Sequence, residues 1–366
     1  MMKQIAGCAI ILGGLIVWDR VMTANEDELK ANTVRVGRIV SKEERERKTP
    51  AAIVIETQGG DKFTFVKTAP EIWKCSSYRN AIASTERIER GLINKLFESE
   101  GHVQSDDSKL AAQYGLDVAG MFIVTVHGDG FIKNKGADDV IAKIDIGAAA
   151  HDRDGCFMRR HGEQKIWAMD SNPHPELDRP AQVKIPPLLD PSIIPMYWLS
   201  SAQRVAKIKV ERSGAAAYEL EVRDIQITPE EMKQGKSPFE WYYKKTGVED
   251  RLCEQTAAVG YTSILMRAPY SDVLDVAMFS KLGFDKPAAK LTLTPGQGTP
   301  MEIFLGGVMT PNRKFAIYNA ATQAIYEVEP GLVEYVFPKE GELITPGRNV
   351  WKPLMDQMSG AGAAPR

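Results

Sequence analysis

Five histidines, His102, His127, His151, His161 and His174, all fall in the first half of the chain. Gathered in space they could ligate zinc or supply a general base, and Asp152 and Asp154 flank His151. Their spacing is neither that of two ligands on one helix turn nor that of a metal knuckle. Most lie in polar stretches, where an imidazole is an ordinary surface group, so none is assigned to catalysis or metal binding. The tryptophans Trp73, Trp167, Trp198 and Trp241 could line a sugar-binding groove, but Trp73 and Trp241 occupy matching positions in two similar stretches, which argues for a shared core role. Asp117 and Asp285 are also matched. An acid in such a turn most economically hydrogen-bonds the turn backbone, so both are read as structural. Cys75, Cys156 and Cys253 are widely separated and read as small buried hydrophobes with at most one pair. Cys8 precedes an apolar run instead of following one, which excludes a lipoprotein processing box.

The motifs that carry common chemistries are absent from the sequence. It has no Gly-x-x-x-x-Gly-Lys-Ser/Thr loop, Gly-x-Ser-x-Gly elbow, His-Glu-x-x-His helix or dinucleotide glycine fingerprint. Gly128-Asp129-Gly130 and Pro295-Gly296-Gln297-Gly298 read as turns. The expectation is therefore a non-enzyme, with no catalytic, cofactor-binding or metal residue and no cofactor. A net charge of -2 gives no reason to expect a nucleic-acid partner, and the densest charge run, Lys42 to Lys48, mixes signs as a solvated face does.

What would position any site is the folded body of a chain of 366 residues, 43% hydrophobic and 26% charged, long enough for two domains or one duplicated domain. Ahead of it, Lys3 precedes the apolar run Ile5 to Trp18, which spans roughly 21 Å as a helix against a hydrocarbon core of roughly 30 Å. No small-x-small cleavage site follows, so the segment reads as an uncleaved signal anchor with Lys3 on the cytoplasmic side and the body exported. Ala9-x-x-x-Gly13 would permit close approach of a partner helix.

Val34 to Val40 predicts a first strand, and Ala51 to Glu56 with Lys62 to Val66 a hairpin around Gly59-Gly60. Trp73 follows, then a helix from Ala81 to Phe97, with Ile88, Leu92 and Leu96 four apart and Ile93 and Phe97 beside them. A short helix stops at Gly115, and the strand Met121 to Val126 is apolar on both faces. Val140 to Ile146, Cys156 to Arg160 and Gln164 to Met169 predict an antiparallel meander. Pro173 to Pro195 is a stiff linker or packing arm. The order then begins again: a hairpin (Arg204 to Glu211, Ala217 to Val222), Trp241, a helix (Leu252 to Met266), a second helix capped by Ser271 and stopped at Gly283, the strand Ala289 to Thr294, and three more strands. Ile144-Asp145-Ile146-Gly147 meets Ile303-Phe304-Leu305-Gly306, and Ile166-Trp167-Ala168-Met169 meets Ile325-Tyr326-Glu327-Val328. The expected fold is α+β, a tandem repeat of two mainly antiparallel modules, each with one or two helices, after one transmembrane helix. The divisions are 1–22 anchor, 23–33 spacer, 34–200 first repeat with its connection, 201–340 second repeat and 341–366 tail.

This order, and the turn Leu282-Gly283-Phe284-Asp285-Lys286-Pro287-Ala288-Ala289 running into a strand, resembles the bacterial domain of unknown function family 4340. The likeness extends from about Val34 to Pro338 and is clearest over Lys281 to Gly306; the first copy departs at Val118-Ala119 and after Phe131. The resemblance implies a single-pass inner-membrane protein with its N-terminus in the cytoplasm and its body in the periplasm. It also implies a non-enzymatic accessory role in an envelope complex, with ABC-type exporter subunits of the gliding-motility-like kind as partners. The alternatives are a periplasmic glycan- or peptide-binding module with a groove lined by Trp73, Trp167 or Trp241, and a metal-dependent hydrolase using the histidines.

Overall fold

The computed structural model describes residues 36–345, apart from 58, 118–120, 135–138, 151–153, 179–184, 203 and 235. The expected anchor and spacer, Cys8, His151 and nearly all of the tail lie outside the described residues.

The protein is α+β, and its described strands form two antiparallel sheets. The first half supplies β1 (Val36–Gly37), β2 (Ala52–Thr57), β3 (Lys62–Ala69), β4 (Ile72–Cys75), β5 (Ala81–Ala83), β6 (Gly101–Ser105), β7 (Phe122–His127), β8 (Val140–Ala149), β9 (Cys156–Arg160) and β10 (Ile166–Met169). The second supplies β11 (Val205–Arg212), β12 (Tyr218–Asp224), β13 (Phe239–Lys245), β14 (Val248–Leu252), β15 (Asp272–Leu274), β16 (Ala289–Pro295), β17 (Met301–Leu305), β18 (Phe315–Asn319) and β19 (Ala324–Val328). Read from one edge, the first sheet runs β5-β4-β3-β2-β7-β8-β9-β10-β6-β1 and the second β14-β13-β12-β11-β16-β17-β18-β19-β15. Strand for strand the orders coincide, with β1 the one addition.

Local chemistry repeats with the topology. The segment Ser108–Tyr114 ends at Gly115, whose φ is 69°, and Leu116 N–H reaches back to Ala111 O at 2.9 Å. Ser280–Leu282 ends at Gly283, with φ 80°, and Phe284 N–H reaches back to Phe279 O at 3.4 Å. Both are the left-handed stop in which the residue after the glycine closes a long backward bond and buries an apolar side chain. Leu116 and Phe284 are those buried side chains. Gly147 and Gly306 are matched for a related reason. A β-carbon on Gly147 would overlap Tyr114 O, and one on Gly306 would lie 2.6 Å from Leu282 O. The carbonyl just before each stop leaves no room for a side chain on the adjoining strand.

Three sequence expectations are corrected. Ala81 begins no helix: Ala81–Ala83 is strand β5, closed onto β4 by a turn in which Arg79 and Asn80 both take positive φ (54° and 53°) and Ala81 N–H bonds Tyr78 O at 3.0 Å. Three small apolar residues carry too little alternation to announce a strand. The helix follows as Arg87–Asn94, π-wound, continuing into Lys95–Glu98, and it buries Ile88, Leu92, Ile93, Leu96 and Phe97 as the spacing predicts. Leu252 belongs to β14; its helix is Gln255–Met266, started by Glu254, whose carboxylate accepts from Thr256 N–H and Ala257 N–H. Ser271 caps no helix. It leads into β15 and donates its hydroxyl to Glu327 O at 3.1 Å, and only the short turns Val276–Met278 and Ser280–Leu282 precede Gly283.

One buried apolar cluster extends from Ile39 to Leu343 and takes in residues of both sheets and of the connection between them. Two satellites lie apart from it, one around Leu116 and Ile166, the other around Phe284 and Ile325.

Candidate functional site at the seam between the sheets

The proline-rich connection is a packing arm. Leu188, Leu189, Ile193 and Ile194 are all buried. Leu188 O accepts from Ser84 N–H at 2.8 Å, Asp190 N–H bonds Ile82 O at 3.0 Å, and Leu189 bridges Ala83, so the arm covers the outer edge of β5. Three residues on, Ile193 N–H bonds Ala268 O at 2.9 Å and Ile193 O accepts from the buried Asn319 amide at 2.8 Å, which fixes the same arm to the second sheet. Trp198 is buried and donates its indole N–H to Thr299 O at 3.1 Å.

Side chains complete the seam. The turn before β5 presents Tyr78 and Arg79 to Asp272 at the start of β15; the tyrosine hydroxyl and the guanidinium both donate to the carboxylate, the latter at 3.2 Å. Tyr270 O–H donates to Asp190 O at 2.8 Å. Burial, with the Asp272 carboxylate as its acceptor, pushes the Tyr78 hydroxyl well above its ordinary value, so it stays a donor.

Beside the seam is a cleft of about 350 Å³ lined by Glu71, Glu86, Glu89, Arg90, Asp190 and Tyr197 among others. Asp190 is its innermost acid, only 3% exposed. Its carboxylate accepts from Ser192 N–H at 3.1 Å and Met196 N–H at 2.8 Å, yet burial outweighs both and raises its pKa. Glu89 is held by Lys67 at 2.6 Å and by the Trp73 indole N–H at 3.1 Å. The charged groups of the wall are mainly acidic, and Glu89 and Asp190 are already engaged with the protein's own donors.

The four described histidines do not converge. His102 lies on β6, facing Val36 across the register. His127 ends β7 with its ring 4.3 Å from that of Phe131. His174 bonds Gly147 O at 2.5 Å and packs on Phe122. His161 pairs with Asp145 at 2.7 Å. Among the described residues no group of three His, Cys, Asp or Glu could hold a metal ion. Asp145 is 1% exposed and is also bound by Arg159 at 2.8 Å; Arg159 reaches Asp117 at 3.3 Å. Asp117 is thus an ion-pair partner, more than the turn acid the sequence suggested, while Asp285 is exposed. Asp145 and Arg159 face each other across β8 and β9 where Phe304 and Tyr318 do so across β17 and β18, so a charged pair in one sheet stands in for a stacked aromatic pair in the other.

Trp73 and Trp241 are buried, at 0% and 4% exposure, which removes both from the aromatic groove considered above and gives them the core role; Trp167 is half-buried against Gly37. Cys75, Cys156 and Cys253 are free and buried, and burial pushes their thiols up to about 11, 12 and 12. The residues that sequence reasoning missed are those of the seam. Tyr78, Arg79, Asp190 and Asp272 carry no motif, and only the pairing of Pro-rich composition with the apolar Leu188-Leu189 and Ile193-Ile194 signalled the arm. No protein-family profile and no curated protein matches the chain.

Proposed function

We propose that the chain is a membrane-anchored, non-enzymatic scaffold subunit of a bacterial envelope complex, its exported body built from two copies of one module. The observation that carries this reading is the coincident strand order of the two sheets together with the matched glycine pairs Gly115/Gly147 and Gly283/Gly306. Two sheets joined by a buried arm and one apolar cluster offer a preformed surface, which suits docking. The anchor rests on the apolar run Ile5 to Trp18, and the choice of an ABC-type exporter of the gliding-motility-like kind as partner rests on the resemblance to family 4340 alone. Mild detergent extraction through a C-terminal tag should bring down integral-membrane companions in stoichiometric amount. Recovery of the chain from the soluble fraction, or from membranes with no companion, would remove the reading.

A further inference from the structure

Each copy follows its meander with a short helix that packs on the longer helix of the same copy: His174–Leu177 against Arg87–Asn94, and Pro330–Val336 against Gln255–Met266. The match of Met169 with Val328 carries on at the same offset, so that Leu177 meets Val336, both fully buried. Asn172 then meets Gly331, and Glu176 meets Tyr335. In the first copy these positions are closed. Asn172 O accepts from Lys95 Nζ at 3.1 Å, and the Glu176 carboxylate accepts from Arg87 at 2.8 Å. In the second copy a glycine and a ring take their places beside a cleft of about 430 Å³, lined by Pro269, Tyr270, Glu329, Gly331, Leu332 and Tyr335 among others. A β-carbon on Gly331 would meet nothing within 4 Å. Glu329 is the one charged group among the described lining residues. Its side chain is 64% exposed and holds Lys314 Nζ at 2.6 Å, and a carboxylate with about four lone-pair sites has room for a second cation.

The chain beyond Thr345 departs from the opposite end of the same helix pair. Glu254 N–H, at the N-terminus of the helix Gln255–Met266, bonds Leu343 O at 3.0 Å, whereas Pro269 and Tyr270 follow that helix's C-terminus. Its 12 residues rise about 18 Å. From Leu343 to Trp351 the chain extends up to about 26 Å, so Trp351 reaches the cleft. Pro346-Gly347 supplies turn chemistry at the point of departure. Trp351 is the one aromatic residue of 346–366, with Val350 before it and Lys352, Leu354 and Met355 after it.

We propose that the C-terminal segment 350–355 docks in this cleft of its own chain, with the Trp351 ring among Tyr270, Leu332 and Tyr335 and the Lys352 ammonium against Glu329. An indole brings a large apolar face to a cleft walled by rings and a leucine. The single acid of the lining answers the single cation of the segment. Tethering holds the segment at an effective concentration in the millimolar range, which neither a second copy nor a free peptide matches at ordinary protein concentration. The tail thus closes on the second copy what Lys95 and Arg87 close on the first.

Hydrogen exchange of the full chain in mild detergent, resolved by mass spectrometry, tests this. With a millimolar effective concentration and a site Kd of about 0.1 mM, the amides of 350–355 should exchange about 10-fold more slowly than their chemical rate. W351A should return them to that rate. So should G331W, which fills the cleft from the protein side, while β16 to β19 keep their protection and report an intact fold. K352E should lose about 2- to 5-fold of the protection, and E329K/K352E, which restores opposite charges, should regain it. A wild-type segment that exchanges at its chemical rate would overturn the proposal, as would protection that survives G331W in a folded protein. If G331W unfolds, the charge pair decides: no recovery in E329K/K352E overturns the docking. The result concerns the second copy alone, so its failure leaves the pull-down result standing.

Discussion

Asp190 ties its own arm together through its side chain and ties the arm to both sheets' neighbouring segments through its backbone. Its carboxylate bonds Ser192 N–H and Met196 N–H, its backbone N–H bonds Ile82 O, and its carbonyl accepts from Tyr270. Burial raises its pKa in the fold. The folded protein therefore binds more protons than the unfolded chain between the ordinary aspartate value and the raised one. Stability contributed by this group falls as pH rises through that window, and the deficit persists above it. Asp190→Asn removes the titration but leaves one of the two backbone donors unmatched, at about 1–3 kcal/mol. Its loss of stability against wild type should be largest on the acid side of the window and shrink as pH rises, read from urea midpoints across the carboxylate range. A loss that grows with pH would mean that Asp190 is better accommodated charged. Composition alone could not single this residue out, because its burial is created by the arm folding over β5.

At the scale of elements, the left-handed glycines were legible and their strand partners were only half so. The sequence places Gly115 and Gly283 at helix stops because a glycine after a periodic run is the residue that takes positive φ without strain. It also aligns Gly147 with Gly306, but the reason, a carbonyl from the preceding stop pressed against the strand, appears only in three dimensions. This orders a mutational series. Gly214→Ala, at φ 76° with open space around it, should cost only the dihedral term of about 1–2 kcal/mol. Gly306→Ala and Gly147→Ala force a methyl onto backbone oxygen and should cost more, about 2–3 kcal/mol. Gly115→Ala combines both, with positive φ and a β-carbon 2.7 Å from Ala148 N, and should be the most damaging. Chemical denaturation of the four variants gives the order; Gly214→Ala as the worst of them would contradict it. The edge strands β5, β14 and β15 escaped sequence reading for a related cause. Each is short, and its pairing is supplied by residues distant in the chain or across a turn, such as Glu327 for Asp272.

For the molecule as a whole, the continuous core and the arm predict a single cooperative unfolding transition. Ile193, Ile194 and Trp198 contribute to the same apolar cluster as Ile53 of the first sheet and Leu291 of the second. Calorimetry of the full chain should give one transition, with the van't Hoff and calorimetric enthalpies in agreement. Two separated transitions would show that the sheets melt independently and that the seam is a weak contact. By itself the sequence determined the α+β class, the meanders, the helix-stop glycines and the core role of Trp73 and Trp241, because each follows from short-range periodicity or from a stretch that occurs twice. Only the tertiary structure decided that the strands divide into two separate sheets, that β6 and β15 lie beyond β10 and β19, with β1 added outside β6, and that Tyr78, Arg79, Asp190 and Asp272 meet. Those outcomes depend on which surfaces remain unburied once each sheet has formed, and burial of that kind is a property of the packed body rather than of any window along the chain.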